Sequence, residues 1–351
     1  MDPSRPHSDL DSGQPFPEDP RSGSPVSRRA VLRGGAALGG AVALGGGTLG
    51  LAAPAFAGPA GFPSYQYFGM PFDKSKLRYN PSNELIFPCI KDTSGKLTGA
   101  RARYYLYYAP HEAPGGICLA YCNSLSGPFT EYPNNPIVKN VWSPYYSVSH
   151  VSSPHVIWND STKRYHLYFH GENSATRMAT SADGISWAYA SRVLSTANIP
   201  GSTETSYARV FEHTITGKGN RYVMLFMVVT SGTRKIHYGW SNDLTNWSFS
   251  TTPLLRPEWI NQVDISGPQL MRRNGTAYVI YHGNYGHMYI TEVGNGFDKA
   301  VQLGHFFDPM SGPPDSGRVA APSFVSDGDV QYMFYEAGQR LSASIAIAKA
   351  I

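Results

Sequence analysis

Counting four residues back from Pro88, Pro154, Pro268 and Pro322 gives Glu84, His150, Asp264 and Arg318. These prolines mark equivalent places in a repeating pattern. Its third copy lacks the proline, and a one-residue slip puts Arg209 in the same column. A second set, His170, His282 and Glu336, ends three of the apolar runs that follow the proline segments. His155 and the adjacent pair Glu212 and His213 lie on the proline-type segments themselves. Carboxylates beside imidazoles are the groups of general acid and base catalysis, and guanidinium forks suit carboxylates and clustered hydroxyls. Charges gathered round a narrow space are costly unless they pair or work. The structural alternatives are a self-satisfying network of Glu84, Asp264, Arg209 and Arg318, and histidines that are only hydrogen-bonded core residues.

Five copies of one unit must position these residues. The run "YHLYFHG" (165–171) recurs as "YYLYYAP" (104–110), "YVMLFMV" (222–228), "YVIYHGN" (278–284) and "YMFYEAG" (332–338). A shorter apolar segment precedes each, and a third strand-like run follows. In three units that run leads into a turn with an aromatic close: "CNSLSGPF", "SADGISW" and "SNDLTNW". β-branched and aromatic runs bounded by Gly, Asn, Asp and Ser predict strands, and a period of roughly 55 to 60 residues holding three or four strands is that of a propeller blade. The expectation is a single-domain, all-β, five-bladed β-propeller over residues 58–351, with blades near 81–140, 145–200, 205–255, 260–305 and 315–351. The last unit stops after its third strand, so residues near 64–75 are expected to supply the missing outer strand and close the ring. In such a ring both polar sets face one mouth.

These five units, with "SADGISW" and "DGDVQYMFYEAG", resemble the five-bladed furanosidase-type glycoside hydrolases, the family 43 arabinanases and xylosidases and their relatives. The resemblance spans about Pro81 to Ile351 and is more specific for fold than for chemistry. It implies a carbohydrate substrate and acid/base hydrolysis at the mouth, with one group protonating the leaving oxygen and a carboxylate activating water or attacking directly. The family's aspartates normally sit just before the blade proline, where this chain has Phe87 and Ser153. The usual triad therefore does not carry over. Related propeller hydrolases use histidine as the acid, so the expected assignment is Asp264 or Glu84 as base and Glu212 or His282 as acid. His150, His170, Arg209, Arg318, Glu336, His155, His213 and Trp142 are the expected substrate-binding set. For Trp142, Tyr145 and Tyr146, sugar stacking and packing are equally good readings. A polysaccharide lyase with a His or Tyr base, arginine neutralising a uronate and a histidine-held divalent metal is the second reading, and a non-catalytic sugar-binding propeller the third. No cofactor is required, and calcium in the central channel stays open.

The bulk composition agrees with a near-neutral, soluble globular protein. Among 351 residues, 41% are hydrophobic, with 36 Gly, 27 Pro and 23 Tyr. A net charge of +4 without a basic stripe argues against nucleic acid. Arg28 and Arg29 precede a Gly-rich apolar run and the "AFA" at 55–57, so residues 1–57 read as a twin-arginine export signal, although Val31 stands where the consensus prefers Phe. A secreted or periplasmic monomer, free of the membrane after processing, is expected. Of three cysteines, Cys118 and Cys122 share one face of a strand, and a disulfide from Cys89 to either remains open.

Overall fold

The computed structural model describes residues 55–351, and the expected export signal lies outside them except for its last three residues. Five antiparallel sheets form the blades of a β-propeller. From channel to rim, blade one is Ile86–Asp92, Tyr104–Ala109, Cys118–Cys122 and Thr130–Glu131; blade two is Val151–Asn159, Arg164–Gly171, Ala175–Ser181 and Ala188–Ser195. Blade three is Ser202–Glu212, Tyr222–Thr230, Thr233–Ser241 and Ser248–Phe249; blade four is Ile265–Arg273, Thr276–Gly283, Met288–Glu292 and Val301–Phe307. Blade five has Val319–Asp327, Val330–Ala337 and Ser344–Ala350, and Tyr65–Gly69 adds the outer strand, pairing Tyr65 with Ala350. Ala55–Phe56 pairs in turn with Tyr65 and Gln66. Among the described residues no helix is long and apolar enough to cross a membrane.

The apolar runs follow from burial on both faces of each blade. Side chains alternate along a strand, so a run facing two neighbouring blades must be apolar at every position. In "YYLYY", Tyr105 and Tyr107 pack into the core shared with blade two, while Tyr104, Leu106 and Tyr108 pack against blade five. One such core fills each of the five spaces between blades. The turns "SADGISW" and "SNDLTNW" are blade corners: Asp183 Oδ1 accepts the N–H groups of Ile185 and Ser186, and Asp243 Oδ1 those of Thr245 and Asn246.

The prolines have a backbone explanation. Every inner strand carries an extra residue relative to its partner at an equivalent bulge, centred on Phe87, Ser153, Tyr207, Gly267 and Ala321, and blade three has a second between Ser202 and Glu204. All five adopt positive φ, between 46° and 59°. Proline follows four of them because a bulge on a channel-facing edge asks for no ladder N–H there. In blade three Ala208 holds the proline's place. This register corrects the slipped alignment: four residues before Ala208 is Glu204, and Arg209 belongs one position beyond the proline, level with Cys89, His155, Gln269 and Ser323. The disulfide left open by the sequence is absent, since Cys89, Cys118 and Cys122 are all free and buried, with Cys89 in a different inter-blade core from the other two.

Candidate functional site at the propeller mouth

The bulges define the floor of the mouth. Phe87 of blade one stacks face to face on Tyr207 of blade three across the channel, at 4.7 Å and 7°. Beneath the stack lies Arg209, 1% exposed, whose guanidinium donates to Gln269 Oε1 at 2.9 Å, to the Ala321 carbonyl at 3.2 Å and to the Pro322 carbonyl. Burial pulls its pKa down to about 10. His155 Nε2 meets the Val210 carbonyl at 2.7 Å, and burial first, then Lys91 and Arg209, hold that imidazole neutral. Arg209 and His155 thus knit the channel wall. A cavity of about 320 Å³ opens at the far end, lined among others by Lys91, His155, Glu212 and Arg272.

Glu212 is at that far end, exposed and paired with Arg221 at 2.9 Å, so the structure does not bring it to the mouth as an acid. His213 stacks on Phe297 at 5.1 Å and faces the Asn295 carbonyl at 3.2 Å, a packing role between blades three and four. Trp142 sits on a short hairpin, edge-on to Tyr146 and Tyr189 at 6.2 and 5.9 Å, within the core flanking blade two.

The mouth gathers the rest. Glu84, His150, Glu204, Asp264 and Arg318 each stand three residues before the bulge of their blade's inner strand, and His170, His282 and Glu336 near the ends of the second strands lie opposite Ser152, Ser266 and Ala320. Two carboxylates there are tied into the fold. Glu336 accepts from Arg318 Nη2 at 2.9 Å and from the Phe87 N–H at 3.0 Å, and both charged side chains are buried. Glu84, fully buried, accepts from Arg340 Nε at 2.9 Å and the Leu341 N–H at 2.8 Å. The predicted network of Glu84, Asp264, Arg209 and Arg318 therefore has other partners: Arg318 with Glu336, Glu84 with Arg340. Arg209 and Arg318 are engaged by protein and are not turned outward as sugar clamps.

Asp264 and Glu204 are only half-buried. Asp264 Oδ1 accepts the Arg234 N–H of blade three at 2.7 Å. His282, also half-buried by area, feels the charges of Arg318, Arg234, Arg340 and Arg209; burial first and then these charges hold its pKa well below the usual histidine value. A lowered pKa favours the neutral imidazole, which suits a base or hydrogen-bond partner better than the proton-donating acid expected of His282. Gly267 makes room for it: a Cβ there would stand 2.7 Å from His282 Nδ1.

Three mouth residues escaped the sequence reading. Glu204 was displaced by the slip, and an ungapped match of "TSYARV" to "VSSPHV" would have found it. Tyr207 takes the bulge position, and His111 follows the end of the second strand of blade one. His111 closes a cluster with His150 and His170, ring centroids 5.5 to 6.0 Å apart, beside Tyr207 at 4.9 Å from His170.

The sequence matches no protein-family model and no curated protein. Solved structures do match. A putative glycoside hydrolase from Bacteroides ovatus ATCC 8483 superposes with a TM-score of 0.58 at 14% identity, over 86% of this chain and 97% of its own. Another glycoside hydrolase gives 0.60 at 11% identity, over 81% and 91%, and an alpha-L-arabinofuranosidase from Lactobacillus brevis 0.54 at 16%, over 77% and 92%. At these identities the likeness establishes architecture alone: the chain is a five-bladed β-propeller, the fold it shares with these structures.

Proposed function

We propose that this chain is an exported glycoside hydrolase that cleaves a polysaccharide or oligosaccharide at the propeller mouth, with Asp264 and Glu204 as its carboxylate pair. The observation that carries the reading is their placement. Both stand three residues before the bulge of adjacent inner strands, and both are half-buried, on a fold shared with glycoside hydrolases. One would protonate the leaving oxygen while the other activates water or attacks the sugar. Glu84, locked by Arg340 and Leu341, then acts as a positioning residue. Assaying the purified chain on a panel of plant and microbial glycans for new reducing ends tests this; no release from any substrate would overturn it. Export by the twin-arginine route would be lost on replacing Arg28 and Arg29 by lysine.

A second reading rests on His282. An imidazole kept neutral by burial and by Arg318, Arg234, Arg340 and Arg209 is suited to abstracting a proton beside a uronate carboxylate, which is lyase chemistry. Ultraviolet absorbance from an unsaturated product would select it over hydrolysis. A bound glycan without either product would mark a sugar-binding propeller.

A further inference from the structure

We propose that His111, His150 and His170 form a binding site for one first-row divalent transition-metal ion, of the zinc type, set into the mouth between blades one and two. One nitrogen from each imidazole lies within 4.8 Å of the others. The rings stand nearly perpendicular to one another, at 75°, 80° and 82°, an edge-to-face arrangement compatible with three imidazoles converging on a point. Tetrahedral ligand nitrogens at about 2.0–2.1 Å from zinc sit roughly 3.3 Å apart, a spacing that small side-chain rotations reach from here.

The backbone builds this convergence. His170 ends the second strand of blade two opposite Ser152, and His150 directly precedes that blade's inner strand. His111 arrives from blade one on a loop stitched to the same strand, Gly116 N–H donating to the Val151 carbonyl at 2.8 Å. Gly115 is required for that stitch, because a Cβ would meet the Val151 oxygen at 2.4 Å. Serines orient two rings from behind: His111 Nδ1 lies 3.1 Å from Ser152 Oγ and His150 Nδ1 3.0 Å from Ser149 Oγ. Metal-bound histidines are commonly held this way through the second nitrogen, which directs Nε2 to the ion. His111 and His170 are buried and His150 is partly open, so the fourth position faces the mouth. Three neutral nitrogens select zinc, cobalt, nickel or copper over calcium and magnesium, which take oxygen ligands. The site shares the mouth with Asp264 and Glu204 but does not depend on their role.

Metal binding is read directly on the untagged, chelator-stripped chain. Zinc titration by calorimetry should give one ion per chain, and cobalt should give the visible spectrum of a tetrahedral nitrogen site. His170→Gln, His111→Gln and His150→Gln should each weaken zinc binding more than ~100-fold, since loss of an outer-shell partner alone costs about 10–100-fold; Ser152→Ala should cost about 10-fold. His305→Ala, in the separate cluster of His287, His305 and Asp308, should leave the mouth site intact. If a mouth variant does not fold, zinc protection of the three histidines from diethyl pyrocarbonate in the native chain, mapped by mass spectrometry, replaces it. Stoichiometric binding that survives in a folded His170→Gln variant, the absence of any binding, or protection confined to His287 and His305 would overturn the proposal.

Discussion

Glu336 of the last blade accepts the backbone N–H of Phe87 in the first, at 3.0 Å, with its other oxygen on Arg318. This carboxylate therefore clasps the ring where chain beginning and chain end meet, and it holds in place the bulge whose phenyl ring floors the mouth. Removing one partner strands a buried guanidinium. Glu336→Ala should destabilise the propeller by about 3–5 kcal/mol, as breaking buried ion pairs does. Glu336→Gln, which still accepts from the Phe87 N–H, should cost clearly less. Urea denaturation of both variants measures this; equal losses would show that the clasp is purely electrostatic.

Asp264→Asn and Glu204→Gln should each lower kcat by about 10²–10⁴-fold, the usual worth of a positioned acid or base, with little change in melting temperature because both side chains are half-exposed. Glu212→Gln should leave turnover unchanged, since Glu212 lies at the opposite end of the channel against Arg221. Full activity in Asp264→Asn would remove Asp264 from the mechanism, and loss of activity in Glu212→Gln would relocate the site altogether.

The uneven legibility of this sequence has a physical cause. Blade architecture is written in continuous apolar runs such as "YYLYY", buried on both faces, and in corner motifs such as "SADGISW", and both depend on burial that repeats in every unit. The polar column was also visible, because charge at a repeat position stands out against that background. Its third member was lost because proline is a consequence of the bulge and not its cause: Tyr207 and Ala208 make the same left-handed turn without it. Glu212 and His213 misled because strand direction, set only by the whole ring, decides which end of an inner strand reaches the mouth. His111 belongs to a loop whose path depends on the contact between Gly116 and Val151, 35 residues apart in sequence and beyond the reach of any local pattern.

Acid should weaken the fold before any carboxylate is protonated. His155 and His282 are held neutral by burial and neighbouring cations, burial takes His237 down to about 4, and burial also lowers His166 and His213. In the unfolded chain such groups take up protons near pH 6.5. Stability is therefore level above about pH 7 and falls as pH drops below 6.5, by up to about 1.4 kcal/mol per pH unit for each histidine still refusing its proton. Urea midpoints between pH 5 and 8 should trace this slope, and His155→Gln should reduce it. A flat profile would mean that these imidazoles gain protons in the native state.

Gly267 is the one bulge residue without a side chain, and His282 explains why. The other four positions carry Phe, Ser, Tyr and Ala at similar positive φ, so the backbone alone does not demand glycine. A Cβ at 267 would stand 2.7 Å from both Nδ1 and Cε1 of His282 and 3.3 Å from the Ala321 Cα, so the imidazole has to move. Gly267→Ala is expected to cost about 1–3 kcal/mol, part of it left-handed strain and part the displaced ring. In a His282→Ala background only the strain should remain, about 1–2 kcal/mol. The double-mutant cycle thus isolates the contact as a coupling of roughly 0.5–2 kcal/mol. Strict additivity would show that glycine is kept there for the backbone after all, and that His282 is not braced against the floor of the mouth.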